Sequence, residues 1–166
     1  MAFYDLFFRP VYQSAFAVAG NHDEAEEIMH DTLLKVFSKT GLLNEEPKAM
    51  SRILRRMATN QAIDILRKRK DFILPIADGD AMDWEDETEE DSATNELTIS
   101  DIKDGISRLS PAYRSIISLR LFEEISFAEI SEQLNINAST VRVQYSRGIT
   151  QLRILLKQQI NGLKYE

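Results

Sequence analysis

Four groups of residues in this sequence have types and spacings suited to chemistry. Ser139, Thr140, Arg142, Val143, Gln144 and Arg147 fall on the outward face of one helically patterned stretch. Together they can bond phosphates and base edges, with no acid among them. Lys48, Arg52, Arg55, Arg56, Arg67, Lys68, Arg69 and Lys70 face a single acid, Asp64, which makes an electrostatic footprint for a phosphate backbone. Within that stretch Arg52, Arg56, Asn60 and Arg67 recur at roughly one-turn intervals. Asp23, Glu24, Glu26, Glu27 and Asp31 crowd the start of another helix, where the dipole favours acids; with Leu34 exposed beside them, that face can dock a basic partner helix. Glu27-x-x-His30 has the Glu-x-x-His spacing of carboxylate-bridged di-iron bundles. Such sites need two of these pairs and two further Glu, and His22 is the only other histidine, so the metal reading fails by count. With no cysteine in the chain, thiolate catalysis, cysteine zinc sites and disulfides are excluded. There is no phosphate-cradling Gly-x-x-x-x-Gly-Lys loop and no Gly-x-Ser-x-Gly elbow, and nothing argues for an enzyme or a cofactor.

These side chains need helices to hold them. Ala25, Ile28, Met29, Thr32, Leu33, Val36 and Phe37 recur at helical spacing behind Asn21, a capping residue, and predict a helix over about 22–39. Ile53, Leu54, Met57, Ala58, Ala62, Ile65 and Leu66 predict a second over about 48–70. An N-terminal helix through Phe7, Val11, Phe16 and Val18 completes a small bundle. Further on, Ser110-Pro111 reads as a helix start with Ser as cap. Ser126-Phe127-Ala128-Glu129 reads as a capping box opening a short helix that stops near Leu134. Asn135 suits a left-handed turn, and Ala138 to about Lys157 forms a longer helix with Val141, Tyr145, Ile149, Leu152 and Leu156 inward. A short helix, a three-residue turn and a second helix is the outline of a helix-turn-helix, whose second helix enters the DNA major groove. An ordinary helical hairpin with a solvated polar face meets the same pattern, as a solvated helix end meets the basic one.

The net charge of −7 over 166 residues, taken as an average, opposes a nucleic-acid partner, but it is unevenly spread. Residues 1–70 carry nine acids against eleven Lys and Arg, and residues 101–166 seven against nine, so each is weakly basic at +2. Residues 71–100 carry eleven acids and no base, a self-repelling run too poor in apolar residues to repay ordering. The expected organisation is therefore all-α: a helical domain over 1–70, a flexible acidic linker over 71–100, and a helix-turn-helix domain over 101–166. The N-terminus lacks the basic start and cleavage site of a signal peptide and no apolar run is long enough to span a bilayer, so no membrane insertion and a cytoplasmic location are expected.

Three segments resemble one family, the extracytoplasmic-function group of bacterial RNA polymerase sigma factors within the sigma-70 family. Asp23 to Phe37 is similar to its polymerase-docking helix. Arg55 to Lys70 is similar to the helix that binds and opens the −10 promoter element. Leu109 to Arg114, Ser126 to Ser131, Thr140 to Arg142 and Ser146 to Gly148 resemble its −35-binding domain. The three lie in the family's order and cover nearly the whole chain on both sides of the linker.

The resemblance implies a sigma2-like domain that docks on the β′ clamp of core RNA polymerase through Asp23, Glu26, Glu27, His30, Asp31 and Leu34. It implies contact with the −10 element through Arg52, Arg56, Asn60, Arg67 and Lys68, with the loop Thr40 to Pro47 capturing a flipped base. It implies a sigma4-like domain that meets the β flap and reads the −35 element of promoter DNA through Ser139, Thr140, Arg142, Val143, Gln144 and Arg147. An anti-sigma factor is a further partner usual in the family, and the polymerase does the chemistry. His30 stands where the family usually has Gln, Ile53 where it usually has Trp, and Val143 where a small polar residue is common. An apolar Val143 would meet a thymine methyl rather than a hydrogen-bonding edge. The acidic linker with Trp84 reads either as a plain tether or as a path through the polymerase's basic channel. A non-sigma helix-turn-helix regulator with an N-terminal dimerisation bundle is the alternative reading, and a metal-dependent bundle a third.

Overall fold

Asn21 shows how closely local chemistry sets the helix boundaries. Its side-chain oxygen accepts hydrogen bonds from the backbone N–H groups of Asp23 and Glu24 at 2.9 and 3.2 Å, satisfying two of the orphan donors at a helix start. The structure, a computed structural model, describes residues 2–39, 44–69 and 97–164. These residues form seven helices: α1 Ala2–Ala19, α2 His22–Phe37, α3 Pro47–Lys68, α4 Ile99–Ser107, α5 Pro111–Leu121, α6 Phe127–Leu134 and α7 Ala138–Lys164. Among them none is long and apolar enough to cross a membrane. The expectations placed on residues 71–96 and on most of the loop from Thr40 lie outside the described residues.

Helices α1, α2 and α3 make the first bundle. Pro10 sits inside α1, where a missing N–H and a ring clash cost about 3 kcal/mol. Burial of Phe7, Val11, Val18 and their neighbours, at roughly 1.5–3 kcal/mol for each large side chain, outweighs that. Met50 and Ile63 join Leu54, Ala58, Ala62 and Leu66 on the buried side of α3, whereas Ile53, Met57 and Ile65 are only half-buried.

The second body begins at Thr98, which caps α4 in a full capping box with Asp101; Thr98 and Ile99 fall within the stretch expected from sequence to be linker. Hydrogen bonds from Thr98 hold the Asp101 carboxyl below its usual range. Ser110 precedes α5 with Pro111 in the first turn, but its side chain makes no capping bond. In α6, Ser126 accepts from the Glu129 N–H, and Asn135 ends the helix at φ 54°, ψ 46°, the left-handed conformation expected of that turn. Helix α7 runs to Lys164, two turns past the expected end. Ile106, Leu109, Ile117, Leu152 and Leu156 form a core between α4, α5 and α7. Gly148 lets α7 approach α5: a Cβ there would lie 2.8 Å from Ile117 Cδ1.

A larger cluster of buried apolar residues does not stop at the linker. It runs from α1, α2 and α3 through Ile116, Leu119 and Ile125 to Ile130, Leu134 and Val141 of the helix-turn-helix. The two bodies are in contact along α1 and α5.

Candidate nucleic-acid and polymerase interfaces

Three surfaces carry the residues that the sequence singled out. On α7, Ser139 and Arg142 are exposed, while Thr140, Val143 and Arg147 are half-buried. The Arg142 guanidinium lies 6.0 Å from the Phe127 ring centroid, so an aromatic of α6 supports the stem of the most prominent cation on this helix. Gln144 departs from expectation. It is fully buried, because it lies three residues after Val141 and so shares the inward face of α7. Gln144 therefore belongs to the packing of the helix-turn-helix and not to the exposed set.

On α3, Arg52, Arg56, Asn60, Arg67 and Lys68 are all exposed, as a polar stripe with one-turn spacing requires. Among the described residues neither Asn60 nor Asp64 takes part in a side-chain hydrogen bond, and both are exposed. Arg67 Nη2 donates to the Gln133 carbonyl of α6 at 3.0 Å. Arg69, just past the helix, pairs with Glu24 at the start of α2. Arg55 differs from its neighbours: its guanidinium turns into the seam between the two bodies, donating to Ser14 Oγ at 3.1 Å and to the Phe122 carbonyl at 2.6 Å.

On α2, Asp23, Glu26, Glu27, His30 and Leu34 are exposed and Asp31 is half-buried. Asp31 accepts from Gln61 Nε2 at 3.0 Å, and Gln61 Oε1 in turn accepts from Lys35 at 3.2 Å, which fixes α2 on α3. The His30 ring stacks on Tyr4, and Tyr4 on Phe8. Leu34 at 65 % exposure and Phe37 at 48 % extend this apolar strip, bordered by Glu26 and Glu27. Tyr4 and Phe8 escaped the sequence reading because α1 was read for its core face alone; the Tyr4-x-x-x-Phe8 spacing was the available signal. Behind the strip, the Tyr12 hydroxyl meets His22 Nδ1, and burial, then the Glu26 charge, push its pKa upward. His22 and His30 thus have aromatic partners, and no group of three or more metal-ligating side chains exists among the described residues.

The arrangement is an apolar strip on α1 and α2 with Glu26 and Glu27 exposed on the same helix, a helix α3 with exposed cations, and a helix-turn-helix with Arg142 outward. Residues 3–72 match the family described as Sigma-70 region 2, and residues 100–152 the family described as Sigma-70, region 4. The ECF RNA polymerase sigma factor SigW of Bacillus subtilis is 31 % identical over 162 residues, covering 92 % of this chain and 86 % of that protein. The ECF RNA polymerase sigma factor SigE of Mycolicibacterium smegmatis is 29 % identical over 86 % of this chain, which spans 56 % of that longer protein's length. Among solved structures, the sigma factor RpoE of Bartonella quintana, crystallised with the anti-sigma factor NepR, aligns over 94 % of this chain and 95 % of that one. Its TM-score is 0.52 at 23 % identity, a likeness of fold.

Proposed function

This chain belongs to the extracytoplasmic-function group of the sigma-70 family of RNA polymerase sigma factors, and from that premise we propose that it binds core RNA polymerase and directs it to promoters. The first body docks on the β′ clamp through the α2 strip of Glu26, Glu27, His30 and Leu34. Its α3 stripe, Arg52, Arg56, Asn60, Arg67 and Lys68, holds the opened −10 element, where successive cations meet phosphates about one helical turn apart. The second body sets the start of α7 in the −35 major groove, with Ser139, Thr140 and Arg142 outermost, and meets the β flap. The polymerase performs the chemistry; the chain contributes address and strand separation, working in the cytoplasm where the polymerase is. An anti-sigma factor is a further partner, a reading supported by the pairing named for the Bartonella relative.

The observation that carries this reading is one chain holding two family-matched bodies in the order region 2, then region 4, with exposed Arg52, Arg56 and Lys68 on α3 and Arg142 on α7. The alternative of a helix-turn-helix regulator with a dimerising bundle is not favoured, because the bundle itself matches region 2 over residues 3–72. Gel filtration with purified core polymerase separates the two. The sigma reading requires co-elution with core in a one-to-one complex, with Leu34→Asp weakening it; a homodimer that ignores core polymerase would overturn it.

A further inference from the structure

Helices α1 and α4 meet without closing on each other. Each brings a row of the same i, i+3, i+4, i+7 spacing to the gap: Pro10, Gln13, Ser14 and Ala17 from α1, and Ser100, Lys103, Asp104 and Ser107 from α4. The two rows line a cavity of about 440 Å³, a size that falls within the roughly 300–1,000 Å³ of ligand pockets. Neighbouring helices ordinarily interdigitate their side chains to native density. Here both rows are rich in Ser and Ala, whose side chains are too short to fill the space. Arg55 of α3 and Phe122 at the end of α5 also line the cavity, so its walls come from both bodies.

The lining has an apolar part and a charged part. Pro10, Phe16, Ile106 and Phe122 make the first. Phe16 is held by a stack on His22, with ring centroids 4.4 Å apart, so this wall is set before any ligand arrives. Two cations make the second part. Lys103 is exposed and, among the described residues, pairs with no acid; its ammonium lies 5.8 Å from the Phe122 ring centroid. Arg55 commits Nε to Ser14 and Glu123 and Nη2 to the Phe122 carbonyl, which leaves its Nη1 without a partner among the described residues. The one acid among these lining residues, Asp104, is exposed, where salt screens it. Left empty, the gap would forfeit the dispersion contacts of its aromatic walls. An apolar body with one anionic end matches both parts of the lining.

We propose that this cavity binds a small amphipathic anion, an aromatic or aliphatic body carrying a single acidic group, with the body against Phe16 and Phe122 and the anionic end at Lys103 and Arg55 Nη1. The inference stands apart from the function proposed above, since it needs only the fold. Because both bodies line the site, ligand binding and the contact between the bodies are linked. Whatever parts them releases the ligand, and the bound ligand opposes parting by the same free energy.

Anilinonaphthalene sulfonate, an aromatic monoanion, is the probe, with phenylnaphthylamine as its uncharged counterpart; each is titrated into the full chain while backbone amide shifts and probe fluorescence are followed. Saturable shifts centred on Ala17, Lys103 and Phe122 are expected, together with a rise in melting temperature on binding. Lys103→Glu should weaken binding of the anion by about threefold or more, and Asp104→Asn should strengthen it, in keeping with exposed charge contacts. Ala17→Leu, which carries a longer side chain into the gap, should abolish the shifts. If that variant does not fold, Ser107→Leu fills the same gap from α4. Shifts confined to the Tyr4, Phe8 and Leu34 strip, an absence of saturable binding, equal affinity for the uncharged counterpart, or binding unchanged by Lys103→Glu would each overturn the site.

Discussion

Arg142 and Gln144 stand two residues apart on one helix and have opposite fates. Arg142 projects into solvent over Phe127, so Arg142→Ala should weaken −35 binding by about 1–3 kcal/mol, the worth of a base-edge contact, and leave thermal stability unchanged. Gln144 is fully buried, so Gln144→Ala should lower the melting temperature, with a stability loss on the order of 1–3 kcal/mol, and leave the preferred −35 sequence unchanged. Thermal melting together with footprinting on promoter variants checks both, and a selective change in −35 preference by Gln144→Ala would return it to the reading surface. The misplacement has a simple origin. Polarity was read as exposure, although the three-residue step from Val141 already put Gln144 inside. Asn135 shows the opposite case, since a residue type tolerant of positive φ at the end of a short apolar pattern was legible as the left-handed turn it is.

Among the elements, α3 does two jobs on two faces. Its stripe of Arg52, Arg56, Asn60 and Arg67 is solvent-exposed, while Arg55, one residue from Arg56, points into the seam. An Arg56→Ala, Arg67→Ala double variant should keep core-polymerase binding, because the α2 strip is untouched, and lose −10 opening. Permanganate reactivity of promoter thymines measures the opening; loss of core binding instead would make these residues part of the docking surface. The existence of α1, α2, α3, α5, α6 and α7 was legible from periodicity and caps, because burial of an apolar face is what forms them. Helix α4 was not, because its opening pair Thr98 and Ile99 follows an acidic run and its nine residues offer too short a pattern to stand apart. The eight basic residues from Lys48 to Lys70 looked equivalent in sequence, and only packing separates Arg55, Arg67 and Arg69, which bond within the protein, from the exposed Arg52, Arg56 and Lys68.

At the scale of the whole molecule, charge alone gives the expectation of two bodies, since eleven acids without a base lie between two weakly basic segments; residues 71–96 of that run lie outside the described ones. The seam was not legible in the sequence. Its polar contacts join α1 to Arg114 and Ser118 of α5 beside the apolar Ile116 and Leu119, and polar residues carry no periodic signal of a buried partner. On the proposed function, a molecule of this build should bind promoter weakly through either body alone and gain its grip when polymerase holds both in register, the arithmetic of linked weak sites. The most direct measurement is run-off transcription: purified core polymerase with and without the full chain, on a library of linear promoter templates. The account predicts discrete transcripts only when the chain is present, from templates sharing one −10 and one −35 sequence at a fixed spacing. Transcription equal with and without the chain, or initiation that ignores both sequences, would contradict it.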